Sequence, residues 1–121
     1  MYTDKKYKGI IVPAVTPLTK DYTIDTAAVE KIFASFYEHN ISPFILGTTG
    51  ESASLSASVK TDYLKAAEKN KKTGTVLYAG ISSNVFAESV EFAKLCADNA
   101  VDAVAATLPS YYALNDGQML K

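Results

Sequence analysis

The sequence has little of what would point to a metal, a membrane or a nucleic acid. It contains one cysteine and one histidine, so we expect no metal site. No apolar run approaches the roughly 18 residues of a membrane span, and the N-terminus lacks the apolar segment of a secretory signal. Lys+Arg 12 against Asp+Glu 13 are scattered and leave a formal charge of -1, which offers no patch for nucleic acid or an anionic membrane. A small neutral or anionic metabolite is the better partner.

The length and the single thiol favour one unit in a reducing compartment. At 121 residues with 48% hydrophobic content, the chain is long enough for one compact core and too short for two. Cys96 cannot form an internal disulfide, which fits the cytoplasm, and its apolar helical surroundings predict a buried structural thiol. His39 is expected at the surface, at the C-terminal end of a helix.

Short apolar segments alternate with amphipathic ones along the chain. The apolar segments, expected to be strands, are 9–15, 43–46, 75–80 and 102–107. The helical patterns are 25–38 with Asp25 as N-cap, 55–71 and 87–99, and Asn115 or Asp116 is placed to cap a fourth helix. A repeat of roughly 30 residues with this alternation predicts an α/β fold with βαβ units and a parallel sheet. Pro13 suggests that the first strand ends or bulges there.

Polar residues follow each predicted strand. They are Thr16, the run Thr48 to Ser52, the run Ser82 to Asn84, and Tyr111 with Tyr112. Such clustering is typical of the active-site rim of an α/β barrel or a doubly wound sheet. No G-x-G-x-x-G follows the first strand, and no P-loop lysine follows Gly50, so a nucleotide fold is not favoured. Lys60 is expected on an outward helix face, and Lys71 in a solvated helix end.

The run Gly47-Thr48-Thr49-Gly50-Glu51-Ser52 is the most informative stretch. Its two glycines permit positive φ and close approach of a ligand, while its hydroxyls and N–H groups are donors suited to a carboxylate or phosphate. An ordinary turn between a strand and a helix has a similar composition, and spacing alone leaves both readings open.

The chain resembles the dihydrodipicolinate synthase and N-acetylneuraminate lyase family along its whole length. The resemblance is carried by the 47–52 run after the second strand, with Thr16-Pro17 before it, and Ala79-Gly80 and Tyr111-Tyr112 after it. The family consists of TIM (β/α)₈ barrels that bind pyruvate or another 2-oxo acid as a Schiff base with a lysine. The resemblance implies that residues 1–121 are the N-terminal half of one such barrel domain, with about four βα units and no cofactor.

The resemblance also implies roles for particular residues. Gly47, Thr48 and Thr49 would bind the carboxylate of the 2-oxo acid, and Thr48 would sit in a proton relay with tyrosines. Tyr112 is similar to the relay tyrosine that crosses a dimer interface, which implies a homo-oligomer, either a dimer or a tetramer. Ser52, Asn84, Glu88 and Tyr111 resemble the lining of an allosteric lysine pocket in regulated synthases, although Ala57 replaces a histidine often found there.

The second substrate is less well indicated. Gly47-Thr48-Thr49 favours the synthase type, which condenses pyruvate with an aldehyde such as aspartate semialdehyde in lysine biosynthesis. The segments 102–104 and 109–112 look as much like N-acetylneuraminate lyases and sugar-acid aldolases.

The Schiff-base lysine of the family lies on a later strand that this sequence does not contain. An exposed lysine is protonated at neutral pH, and a Schiff-base lysine needs burial or a neighbouring cation to lower its pKa. We therefore expect this polypeptide alone not to form the covalent intermediate, and a complementary C-terminal half-barrel to supply it. The chain could be a piece of a split or clipped enzyme, a fragment, or a truncated product that acts as a non-catalytic binding or interaction protein.

Overall fold

A computed structural model describes residues 5–120 of the chain, and these residues form a four-stranded parallel sheet with helices between the strands. The strands are β1 (Ile10–Pro13), β2 (Ile41–Ile45), β3 (Tyr78–Gly80) and β4 (Ala103–Ala105), in the spatial order β1-β2-β3-β4. Each strand pairs in parallel with the next along the chain. The sheet is therefore the one predicted from the alternation of apolar and amphipathic segments.

The helices follow the strands in the predicted order. They are α1 (Thr26–Glu38), α2 (Ala57–Asn70), α3 (Phe86–Asp98) and α4 (Asp116–Met119), and a short 3₁₀ turn covers Ser52–Ser54. Asp25 caps α1 by accepting a hydrogen bond from the N–H of Ala28 at 3.0 Å, as predicted. Asn115 caps α4 in a capping box with Gln118. His39 lies exposed at the C-terminal end of α1, as predicted.

Three of the four predicted strands are longer than the observed ones, and the bounds of β2 are shifted. β3 and β4 have only three residues each, because the flanking residues of the predicted segments leave the ladder. β2 begins earlier than predicted, at Ile41, and ends at Ile45, since Leu46 adopts a left-handed conformation with φ 59°. β1 ends at Pro13, as predicted, although the N–H of Ala14 still donates to the Phe44 carbonyl on β2 at 2.8 Å.

The two faces of the sheet differ in burial. Pro43, Ile45 and Ala79 are fully buried against the helices, together with Phe33 of α1 and Tyr63 of α2. Successive side chains of a strand point to opposite faces. Phe44 and Tyr78, which are register partners on β2 and β3, accordingly lie on the other face and are only half-buried.

Both margins of the sheet are open within the described residues. β1 and β4 each pair on one side only, and Ile10 and Val104 at these margins are 63% and 46% exposed. Open margins of this kind can pair with a further strand.

Asp102 holds the N-terminal end of β4 to the rest of the sheet. Its carboxylate accepts hydrogen bonds from Lys71 Nζ at 2.6 Å and from the Leu77 N–H at 3.0 Å, and it pairs with Lys6 at 3.2 Å. Burial raises the pKa of Asp102, but these three donors outweigh burial and hold the pKa below its ordinary value. Lys71 was predicted to be solvated; instead its ammonium is largely covered, because α2 ends beside this carboxylate.

Cys96 is buried on α3, as predicted, with 1% of its surface exposed. Burial raises the pKa of its thiol to about 11. No helix between residues 5 and 120 combines the length and the apolarity that crossing a membrane requires.

Candidate functional site at the C-terminal rim of the sheet

A cavity of about 780 Å³ opens where the strands end. It is bounded by three connections: the turn after β2, the turn after β3 and the segment after β4. Because all four strands are parallel, their C-terminal ends meet at this single rim, which is where α/β enzymes place their sites. The cavity is lined by Gly47, Thr48, Ser52, Asn84 and Glu88 among the predicted site residues.

The turn after β2, residues 46–52, is called here the threonine turn. Its left-handed residues are Leu46, with φ 59°, and Glu51, with φ 52°. Gly47 and Gly50 were expected to take this conformation, and that expectation is wrong. The glycines instead allow close packing, because a Cβ on Gly47 would lie 2.6 Å from the Phe44 ring.

Thr48 and Thr49 present free donors at the rim. Both residues are exposed, and within residues 5–120 their hydroxyls and their N–H groups have no hydrogen-bond partner. The turn is closed by other groups, since the N–H of Glu51 donates to the Thr48 carbonyl at 2.9 Å and the N–H of Ser52 donates to the Gly47 carbonyl at 3.3 Å. The donors of residues 48 and 49 are therefore available to an acceptor from outside the chain.

The polar side chains of the turn after β3 form hydrogen bonds within the chain. Ser82 Oγ accepts hydrogen bonds from the N–H and the hydroxyl of Thr107, at 2.8 and 3.0 Å. Ser83 Oγ donates to the Glu88 carboxylate at 2.8 Å, across the start of α3. These bonds fix one wall of the cavity.

Asn84 connects this turn to the segment that carries the two tyrosines. Its Oδ1 accepts from the Ser110 N–H at 2.9 Å, and its Nδ2 donates to the Ser110 carbonyl at 3.2 Å. The following residue, Tyr111, has φ 81°, which is unusual for a bulky residue. Conformations of this kind persist where surrounding contacts hold them, and they are common at functional sites.

Tyr111 and Tyr112 pack edge to face, with ring centroids 4.8 Å apart, and neither lines the cavity. They are 89% and 78% exposed. Thr49 lies in the threonine turn but also outside the cavity lining. The structure thus brings five of the predicted residues around one cavity and leaves Thr49, Tyr111 and Tyr112 on the rim.

Sequence reasoning missed one contributor to the site, Lys60, and placed a second, Thr16, at the rim without the group that it contacts. Lys60 was expected on an outward helix face, yet it is half-buried and lines the cavity, because the first turns of α2 lie beside the threonine turn. Thr16 follows β1, and its hydroxyl donates to the Gly50 carbonyl at 2.7 Å. Its place after a strand was the only signal available, and the sequence could not show which group it reaches.

The donor set restricts how an anion can be bound here. All twelve basic residues of the chain are lysines, so no arginine fork is present for bidentate carboxylate binding. The charged groups at the cavity are Lys60, Glu51 and Glu88. Hydroxyls and backbone N–H groups are therefore the donors that residues 47–49 can offer.

Among residues 5–120 there is no group of three or more His, Cys, Asp or Glu placed to hold a metal ion.

A parallel sheet in the sequential order β1-β2-β3-β4, with a polar rim at the C-terminal strand ends, is the arrangement found in half of an α/β barrel. The sequence matches the profile of the Dihydrodipicolinate synthetase family over residues 6–120, and the chain belongs to that family. The 4-hydroxy-tetrahydrodipicolinate synthase of Methanosarcina mazei is 34% identical over 115 residues, which are 94% of this chain and 39% of the relative.

Solved structures agree with the sequence match. Dihydrodipicolinate synthase from Bacteroides thetaiotaomicron superposes with a TM-score of 0.86 at 34% identity, over 93% of this chain and 38% of that one. N-acetylneuraminate lyase from Mycoplasma synoviae superposes with a TM-score of 0.85 at 31% identity, over 94% and 40% of the two chains. The chain spans about two fifths of the length of these relatives, and its fold is the N-terminal half of a (β/α)₈ barrel, as predicted.

Proposed function

We propose that this chain belongs to a Schiff-base lyase or aldolase and binds its 2-oxo acid substrate, which we take to be pyruvate. The observation that carries the proposal is the set of unpartnered hydroxyls and N–H groups of Thr48 and Thr49 at the mouth of the cavity. Such groups bind a carboxylate without a formal charge, since oriented N–H and O–H dipoles supply the positive potential. Gly47 lines the cavity beside Thr48, and its backbone would contribute to binding the same carboxylate.

The covalent anchor is proposed to come from outside this chain. In Schiff-base formation a neutral amine attacks the ketone carbon, and the addition product then loses water. The lysine must therefore be deprotonated when it reacts. Among the lysines of residues 5–120, Lys60 is the one that lines the cavity. We assign the anchor instead to a complementary C-terminal half-barrel, which would complete a single barrel domain with residues 1–121. The open margins at β1 and β4 are where such a half would pair.

Tyr112 is proposed as a relay tyrosine that reaches the site of a neighbouring subunit in a homo-oligomer, a dimer or a tetramer. Its high exposure supports this role, because a phenol that crosses an interface must project from its own subunit. Thr48 would be the hydroxyl with which it exchanges a proton.

The reaction we favour is condensation of pyruvate with an aldehyde such as aspartate semialdehyde, in the cytoplasm, as in lysine biosynthesis. The alternative is cleavage of N-acetylneuraminate or of a sugar acid.

Ser52, Asn84 and Glu88 are proposed, with Tyr111, to form a regulatory amino-acid pocket. The first three line one cavity, and Glu88 supplies a carboxylate for an ammonium group. Lys60 lines the same cavity, and its cationic side chain opposes a cationic effector. We therefore expect any response to L-lysine to be weak, which a calorimetric titration with Glu88→Gln as control would measure.

Trapping with borohydride tests the central proposal. Pyruvate plus borohydride should add mass irreversibly to a co-expressed C-terminal half from a family member and not to this chain. Labelling of Lys60, or of any other lysine here, would overturn the assignment of the anchor. Thr48→Val removes one hydroxyl and keeps the N–H, and it should weaken pyruvate binding by about tenfold, since one hydrogen bond to a charged carboxylate contributes about 1.5 kcal/mol or more.

A non-catalytic role is the second candidate, and the exposed apolar margins of the sheet are the observation that favours it. A binding protein would give a heat signal with pyruvate or lysine but no turnover with any C-terminal half. An interaction protein would give neither signal and only a stable oligomer. The three outcomes are therefore distinct in a single set of titrations.

A further inference from the structure

The threonine turn contains two residues in a disfavoured backbone conformation. Leu46 and Glu51 both have positive φ, and neither is glycine or asparagine. L-residues with a side chain adopt this region only when surrounding contacts fix them there. The two threonines lie between these residues, so whatever holds the ends of the turn also sets the direction of the donors at positions 48 and 49.

One end of the turn is held by β3. A Cβ at Gly80 would lie 2.2 Å from the Leu46 carbonyl oxygen, which shows that the two backbones touch. Leu46 itself is 1% exposed. This contact is steric and fixes the entry to the turn.

The other end is held by a hydrogen bond from the connection after β1. Thr16 Oγ1 donates to the Gly50 carbonyl at 2.7 Å, across 34 residues of sequence. A Cβ at Gly50 would lie 3.1 Å from Thr16 Oγ1 and 3.2 Å from the Ala14 carbonyl oxygen, so the segment after β1 packs tightly against Gly50. Thr16 is half-buried, which shields the bond from competing water.

We propose that Thr16 is a positioning residue for the 2-oxo acid site: its hydroxyl fixes the Gly50 carbonyl and thereby holds the donors of Thr48 and Thr49 in their binding orientation. It acts through Gly50 and is not itself a ligand of the acid. The inference rests on the proposed function for the identity of the ligand, but the geometry on which it depends does not.

The test compares variants of the chain in two readouts. Pyruvate affinity is measured by ¹H–¹⁵N chemical-shift titration, and the order of the turn is measured by amide hydrogen exchange at Glu51 and Ser52, whose N–H groups close it. Thr16→Val keeps the shape and removes the hydroxyl. It should raise the pyruvate Kd about fivefold, equivalent to about 1 kcal/mol, and accelerate exchange at both amides. Thr16→Ser should restore both values.

Thr19→Val is the matched control. Thr19 lies on the same connection, and its hydroxyl is hydrogen-bonded to the Thr23 hydroxyl at 2.8 Å and accepts from the N–H groups of Asp21 and Thr23, both at 3.3 Å. None of these bonds reaches the threonine turn. General destabilisation would affect the two valine variants alike, whereas positioning affects only Thr16→Val. Thr16→Ala serves as the second hydroxyl-free variant should Thr16→Val not fold.

The outcomes separate this inference from the proposed function. Unchanged affinity and exchange in the hydroxyl-free variants, or equal effects in Thr19→Val, would overturn the positioning role. If the unmodified chain shows no pyruvate-dependent shifts but Thr16→Val alone loosens the turn, the proposed ligand is wrong and the positioning of the turn stands.

Discussion

Replacement of Gly80 by alanine should damage the site and the fold together. The new Cβ would lie 2.2 Å from the Leu46 carbonyl oxygen and 2.9 Å from its carbon, where ordinary contacts begin at 3.4 Å. The backbones of β3 and the threonine turn must therefore separate by about 1 Å, and overpacking of this kind costs about 1–3 kcal/mol. With an unfolding entropy of about 2.1 cal/mol/K per residue over 121 residues, a loss of about 2 kcal/mol lowers Tm by about 8 °C.

Two measurements check this expectation. Thermal unfolding followed by circular dichroism gives the change in Tm, and a pyruvate titration gives the change in affinity. Gly117→Ala is the matched control, because a Cβ there would meet only the Asn115 side-chain oxygen, at 3.5 Å. It replaces a helical glycine with a better helix former and should leave Tm unchanged or slightly higher.

A Gly80→Ala protein with unaltered Tm and unaltered pyruvate affinity would contradict the reasoning. It would mean that Leu46 can leave its left-handed conformation at no cost and that the threonine turn is not held by β3. A fall in Tm without any change in affinity would instead separate the packing of the turn from the orientation of its donors.

Three further predictions concern other parts of the chain. Asp102→Asn should lower the free energy of unfolding by about 1–3 kcal/mol at pH 7. Because the folded pKa of Asp102 is depressed, this difference should be fully present above about pH 4 and should be lost as pH falls through the lower folded pKa, and urea unfolding at pH 7 and at successively lower pH would show or refute this. Cys96, whose thiol pKa is raised from 9.0 to about 11, should be alkylated about a hundredfold more slowly at pH 8 in the folded chain than in urea, and equal rates would contradict its burial. In an assembly reconstituted with a C-terminal half, Tyr112→Phe should reduce turnover by about 100-fold with little change in pyruvate affinity, whereas a larger loss in Tyr111→Phe would transfer the relay role to that residue.

Local sequence signals predicted the order of the elements well. Asp25 and Asn115 are caps whose side chains satisfy N–H groups one turn away, so their effect is readable from a few residues. Tyr63 and Leu64 are buried on α2, which agrees with the amphipathic pattern predicted for 55–71. Strand ends were predicted less well, because residues such as Leu46 leave the ladder for reasons that lie in a neighbouring strand.

Contacts between distant segments account for the errors at the site. Left-handed φ was expected at Gly47 and Gly50, because glycine adopts it most easily. In the structure these two glycines instead leave room for the Phe44 ring and the Thr16 hydroxyl, and the left-handed residues of the turn are Leu46 and Glu51. No local pattern encodes that exchange. The residues that became free donors, in contrast, were predictable, since they lie in a polar run after a strand.

The unpaired margins of the sheet have a practical meaning for any study of this chain. Rows of free amide and carbonyl groups along β1 and β4 can accept a strand from whatever polypeptide is nearby. Melting temperature, solution mass and solubility should all vary with protein concentration and with the other polypeptides present during purification. A value measured at one dilution describes that mixture, and comparisons between variants are meaningful only when the dilution is held constant.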